Sequence, residues 1–224
     1  MSYYIGLSLL SNVDKSQKKL YSAESRRILS IFENKQIDEN DFSREAQGRP
    51  FLPGRDIDFN ISHSGNAAAV SYVNRKGYRA GCDIEQVRPR SRTAAIAKDK
   101  FSESENNFLF LNGGFSEIDF YKLWTLKECY IKLRGLSVFD MEKVPSFISN
   151  ENIFSFNENN LKPLTFRVYE LSDNNEILYI LSEAIEGGYL QPEIRWFSSL
   201  SLDCKMIAEI KAAPNPAHTV SPNK

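Results

Sequence analysis

Three short segments concentrate side chains that can handle phosphate and a hard cation. In Gly81-Cys82-Asp83-Ile84-Glu85 acidic and apolar residues alternate, so on a strand Asp83 and Glu85 share one face and Cys82 and Ile84 the other. Their Cβ atoms would lie roughly 6 to 7 Å apart, close enough to grip one divalent ion directly or through a water. From Tyr121 to Gly135, the spacing stacks Trp124, Glu128 and Lys132 on one helix face. Leu123, Leu126, Tyr130, Ile131 and Leu133 leave little of that helix purely polar, which sets the charged pair in a cleft. In Phe59-Asn60-Ile61-Ser62-His63-Ser64-Gly65 a strand ends in a hydroxyl, an imidazole, a hydroxyl and a glycine, a turn able to offer donors to a phosphate. Upstream, Gly48-Arg49-Pro50-Phe51 fixes a guanidinium in a rigid turn suited to bidentate phosphate recognition.

Taken singly, none of these segments is specific. A D-x-E strand also describes a solvated acidic edge, and a Glu-to-Lys pair one turn apart is ordinary support for an exposed helix. His63 and the C-terminal His218 are the only histidines, so His63 has no partner for a metal pair, and no acid close in sequence suggests a hydrolase triad. Arg49 would equally suit a surface ion pair.

The elements that must position these residues can be read from periodicity. Residues 3 to 10 read as a strand, and Asp14 with Gln17 can cap a helix running to about Asn34. After a turn-rich loop, residues 57 to 62, 67 to 73 and 78 to 85 read as strands of an antiparallel meander. Ser102 with Glu105 and Ser116 with Asp119 mark the starts of a short and a longer helix, the longer ending near Gly135. Residues 164 to 171, 177 to 185 and 193 to 198 again read as strands. The order predicts an α+β protein of two similar halves, each a small antiparallel sheet with packed helices, over 1–97 and 98–211. A polar, proline-broken tail fills 212–224.

With 28 basic and 29 acidic side chains, the chain has no global field to draw it to nucleic acid or an anionic membrane, so any anion must be held by a local cluster. The first residues lack a basic then apolar leader pattern, and no later apolar run approaches membrane-spanning length. The expected compartment is the cytoplasm. Cys82, Cys129 and Cys204 are odd in number and far apart, which argues for reduced thiols rather than a disulfide framework or a structural zinc site.

In order along the chain, G-R-P-F, F-N-I-S-H-S-G, G-C-D-I-E and W-T-L-K-E-C-Y-I-K-L-R-G resemble the signature of the Sfp-type 4'-phosphopantetheinyl transferases, closely from about residue 48 to 138. The resemblance implies two similar α+β halves in a monomer, with coenzyme A bound in the cleft between them. It implies magnesium, with manganese able to substitute, held by Asp83, Glu85 and Glu128, and Lys132 beside the diphosphate. It further implies that Ser62, His63 and Arg49 contact the phosphates of coenzyme A, with Asp83 also at that substrate and Arg26 on the amino-terminal helix. The sequence departs from the family's pattern in having Arg49 where lysine is frequent and Leu136 after the helix-ending glycine.

The implied reaction moves the phosphopantetheine arm onto a serine of an apo acyl or peptidyl carrier protein. Glu128 is the candidate general base with Asp83 second, and Lys132 stabilises the departing adenosine 3',5'-bisphosphate. The basic stretch Arg88, Arg90, Arg92, Lys98 and Lys100 would meet the acidic helix of a carrier. Two rivals use the same residues. One is a magnesium-dependent phosphodiesterase with water as nucleophile, and the other a coenzyme A- or carrier-binding module without catalysis.

Overall fold

The computed structural model describes residues 2–11, 18–149, 153–154 and 162–212. The capping pair Asp14 and Gln17 and the tail from Pro214 lie outside them. In chain order the elements are β1 (Tyr3–Leu9), α1 (Lys18–Glu33), the short pair β2 (Ser43–Arg44) and β3 (Pro50–Phe51), then β4 (Asp58–Ser64), β5 (Ala67–Val73) and β6 (Arg79–Gln86). There follow α2 (Thr93–Lys100), α3 (Glu103–Leu109), α4 (Glu117–Arg134), the short pair β7 (Ile148–Ser149) and β8 (Ile153–Phe154), then β9 (Leu164–Asp173), β10 (Glu176–Glu186), β11 (Glu193–Trp196) and β12 (Asp203–Ala212).

Alternation along the strands builds two sheets face to face. One has the order β11-β1-β5-β4 and the other β12-β9-β10-β6. Ile5, Leu7, Ala69, Cys82, Ile84 and Leu181 meet in the apolar layer between them. On the outer side of the first sheet, Ile28 and Leu29 of α1 pack on Phe59, Val70 and Tyr72. On the outer side of the second, Leu126, Cys129 and Leu133 of α4 pack with Phe166, Val168 and Ile180. The α+β expectation holds. One pairing, β1 with β11, is parallel, because β11 returns to the first sheet from the far end of the chain.

The expected meander is corrected at its third strand. β4 and β5 pair as predicted, but β6 joins the second sheet, with Asp83 opposite Ser182 and Ile84 opposite Leu181 of β10. The reason lies in β4, whose alternate residues are short and polar. Asp58, Asn60, Ser62 and Ser64 accept the backbone N–H groups of Ala80, Cys82, Ile84 and Gln86 at 2.8, 3.1, 3.3 and 3.1 Å. Side-chain oxygens thus satisfy the edge of β6 where a neighbouring strand would otherwise supply carbonyls. β12, not foreseen from sequence, is an edge strand pairing with β9 across a register shift. Its mixed, largely solvated residues carry no clean alternation.

Candidate functional site

Helix α4 is fixed at both ends. Ser116 caps its start, accepting the Asp119 N–H, and Gly135 ends it at φ 64° while Leu136 N–H reaches back to the Ile131 carbonyl. Arg49 completes the C-terminal end by donating to the Lys132 carbonyl at 2.7 Å. Against β6 the helix comes unusually close, because Gly81 has no side chain. A Cβ there would stand 2.9 Å from the Cys129 carbonyl oxygen and 3.3 Å from Leu133 Cβ. Lys127 turns away from this contact into the helical layer, where its buried ammonium meets buried Glu105 at 3.1 Å and fixes the rotation of α4.

The rotation aims Trp124, Glu128 and Lys132 into a cavity of about 270 Å³, lined also by Ile61, Ser62, His63, Asp83 and Glu85. Strand alternation does what the sequence implied, since Cys82 and Ile84 enter the core while both acids enter the cavity. Lys132 Nζ lies 2.6 Å from Asp83 Oδ1 and 2.9 Å from Ser62 Oγ, and Ser62 donates to the same Asp83 oxygen at 2.7 Å. Burial alone would lower the Lys132 ammonium, but Asp83 beside it holds it above its ordinary value. Burial, followed by the charge of Asp83, pushes Glu128 up to about 7, and Glu85 is raised for the same two reasons.

Among the described residues, no group of three His, Cys, Asp or Glu side chains is gathered as a ready-made metal cage. The donor set nonetheless fits a hard cation. Asp83 Oδ2 is buried with no hydrogen-bond partner. The hydrogen bonds to Glu85, from Ser64 and Arg90, both fall on Oε2. Glu128 is held back from ionising first by burial and then by the neighbouring carboxylates of Asp83 and Glu85, against the pull of Lys132, and a divalent ion would offset the excess negative charge.

A second cavity of about 500 Å³ adjoins the first, sharing Ile61 and His63. Tyr21, Ser22, Arg26, Glu39, Phe42, Arg44 and Pro50 complete its lining. The Tyr21 ring stacks on His63 with centroids 4.3 Å apart. Two guanidinium groups and aromatic faces in one hollow suit a phosphorylated nucleotide.

Residues 79–184, which carry Asp83, Glu85, Glu128 and Lys132, match the family model of the 4'-phosphopantetheinyl transferase superfamily. This stretch belongs to that superfamily. The chain is similar to 4'-phosphopantetheinyl transferase Sfp of Bacillus subtilis, 38% identical over 104 residues, which are 45% of this chain and 44% of the relative. It is also similar to 4'-phosphopantetheinyl transferase AcpT of Salmonella typhimurium, 35% identical over 102 residues, 45% of this chain and 52% of that one. HetI of Nostoc, another 4'-phosphopantetheinyl transferase, is 34% identical over 110 residues, 46% of this chain and 45% of the relative. The chain thus spans about half the length of the curated relatives it matches.

Asp83, Glu85, Glu128, Lys132, Ser62 and His63 come together in the first cavity, and Arg26 lies in the adjoining one. Arg49 does not join them. Its buried guanidinium donates to Asp58 and to the carbonyls of Phe59, Ala80 and Lys132, so it braces β4, β6 and α4. Sequence reasoning missed Arg44, Tyr21 and Phe42, which sit in a short strand, a helix and a loop with no shared period. It read the Ser64 hydroxyl as a donor for phosphate, whereas here that hydroxyl donates to Glu85 at 2.8 Å.

Proposed function

We propose that this chain transfers the 4'-phosphopantetheine arm of coenzyme A to a serine of an apo acyl or peptidyl carrier protein, releasing adenosine 3',5'-bisphosphate. The observation that carries the reading is the junction at His63. There a cavity of three acids and a lysine opens onto a second one holding Arg26 and Arg44. That pairing suits a diphosphate in the first and the phosphorylated adenosine in the second.

Asp83, Glu85 and Glu128 would hold a magnesium ion, which supplies neutralising charge to the diphosphate and a template for it. Lys132 is placed to balance the charge that builds on the departing bisphosphate. Glu128, which lines the cavity beside Asp83, Glu85 and Lys132, is the group placed to take the proton that the carrier serine loses as its oxygen attacks phosphorus. The bond to the bridging oxygen breaks in the same displacement. Ser62 has its donor committed to Asp83, so in this reading it orients Asp83 and Lys132, and phosphate contacts fall to His63 and Lys132.

The carrier approaches over the basic stretch from Arg88 to Lys100. Arg90 contacts Glu85 at 3.3 Å and so ties this stretch to the rim of the acidic cavity, and Arg88 and Arg92 are exposed beside it. No described helix is long and apolar enough to cross a membrane. Three free cysteines, two of them buried, suit a reducing cytoplasm. One chain supplying both walls of the cleft suits a monomer.

The test is to incubate the protein with coenzyme A, magnesium and a set of apo carriers and weigh the intact carriers. The expected result is one phosphopantetheinyl arm per carrier, on serine. Release of the free arm with unmodified carriers would favour the phosphodiesterase, and coenzyme A binding without turnover the inactive module.

A further inference from the structure

The seam between β4 and β6 carries a relay that reaches the acidic cavity. Ser64 Oγ accepts the Gln86 N–H at 3.1 Å and lies 2.8 Å from Glu85 Oε2. A hydroxyl has one proton to give. With the amide already pointing at Ser64, that proton is directed to the carboxylate. Ser62 repeats the arrangement two residues earlier, accepting from Ile84 N–H and donating to Asp83 Oδ1.

The turn that presents Ser64 is held from several sides. Gly65 sits at φ 60°, and a Cβ on it would stand 2.6 Å from Gln86 Oε1. Its carbonyl accepts the Tyr21 hydroxyl, and Asn66 accepts the Tyr179 hydroxyl while donating to the Leu10 carbonyl. Ser64 is therefore a fixed donor on Glu85 Oε2, closer at 2.8 Å than Arg90, which meets the same oxygen at 3.3 Å from an exposed loop.

We infer that Ser64 is a positioning residue: it pins Glu85 Oε2 so that the other oxygen stays available to a divalent cation. It touches neither cation nor substrate itself. The inference rests on the reading of Asp83, Glu85 and Glu128 as a cation site. Removing a group that orients a metal ligand typically weakens the metal by about 10- to 100-fold.

The probe is Mn2+ alone, titrated into the full chain without coenzyme A or carrier and followed by the EPR signal of the free ion. Ser64→Ala should weaken Mn2+ binding by about 10-fold or more, and Ser64→Thr, which keeps the hydroxyl, should stay within about 2-fold of the parent. In a Glu85→Gln background the Ser64→Ala effect should disappear, which a general loosening of the seam would not produce. Unchanged affinity in Ser64→Ala, or the same loss with Glu85→Gln already present, overturns the role of Ser64 while leaving the cation site intact. If the parent chain takes up no Mn2+, or Glu85→Gln binds it as the parent does, the cation reading of Glu85 fails and Ser64 falls with it.

Discussion

Lys132 Nζ lies 2.6 Å from Asp83 Oδ1, an ion pair that ties α4 to β6 inside the acidic cavity. Both partners are largely withdrawn from water, with side-chain exposures of 26% and 6%. Removing one charge therefore strands the other. Lys132→Ala should lower stability by roughly 3 kcal/mol and abolish transfer. The double variant Asp83→Asn with Lys132→Met should regain most of the stability and none of the activity. Denaturant melts beside the carrier assay separate the two effects, and a stable, active Lys132→Ala protein would contradict the assignment.

Arg49 bridges three elements through Asp58, Phe59, Ala80 and Lys132. Lysine cannot reproduce a planar fork that serves four acceptors at once. Arg49→Lys should cost roughly 2 to 4 kcal/mol in a urea melt, and it should leave the coenzyme A KM nearly unchanged at temperatures where the protein stays folded. A large rise in KM without loss of stability would return Arg49 to the phosphates.

Gly81 sets how closely the helix bearing Glu128 approaches the strand bearing Asp83. A Cβ would meet the Cys129 backbone oxygen at 2.9 Å, and helix backbone has little room to yield. Gly81→Ala should separate the acids by a few tenths of an ångström and favour the larger Ca2+ over Mg2+, which demands tight octahedral geometry. Competition of Mg2+ and Ca2+ against bound Mn2+ measures this. An unaltered ratio would show that the spacing is not what selects the ion.

Glu128 titrates near pH 7, chiefly because of burial and then Asp83, against the pull of Lys132. Its folded value lies above the unfolded 4.5, so the native state keeps a proton that the unfolded chain has already lost. The associated stability is fully present below pH 4.5 and disappears as pH rises through 7. In chelator, thermal melts should show the protein losing up to roughly 3 kcal/mol across this window. Glu128→Gln should flatten that loss. Identical pH curves for the two proteins would refute the shift.

The chemistry was more legible in the sequence than the topology. Period-2 alternation places Asp83 and Glu85 together, and period-3.6 spacing places Glu128 and Lys132 on one helix face, because both relations are local. The destination of β6 was not legible. A strand flanked by two possible neighbours pairs with whichever edge offers carbonyls, and β4 offered side-chain oxygens instead. For the same reason Arg49, which looked like a surface donor in a tight turn, proved to be a buried brace. Its acceptors come from residues 58 to 132 and converge only after folding. The second cavity escaped because α1, β2 and the loop before it meet without any repeating interval.

The most direct measurement is anomalous diffraction from Mn2+ in crystals grown with coenzyme A. A single peak within about 2.0 to 2.6 Å of oxygens from Asp83, Glu85 or Glu128 and of the diphosphate is the predicted result. A coenzyme A molecule bound with its diphosphate away from this corner, or a metal peak with none of the three carboxylates beside it, would contradict the account.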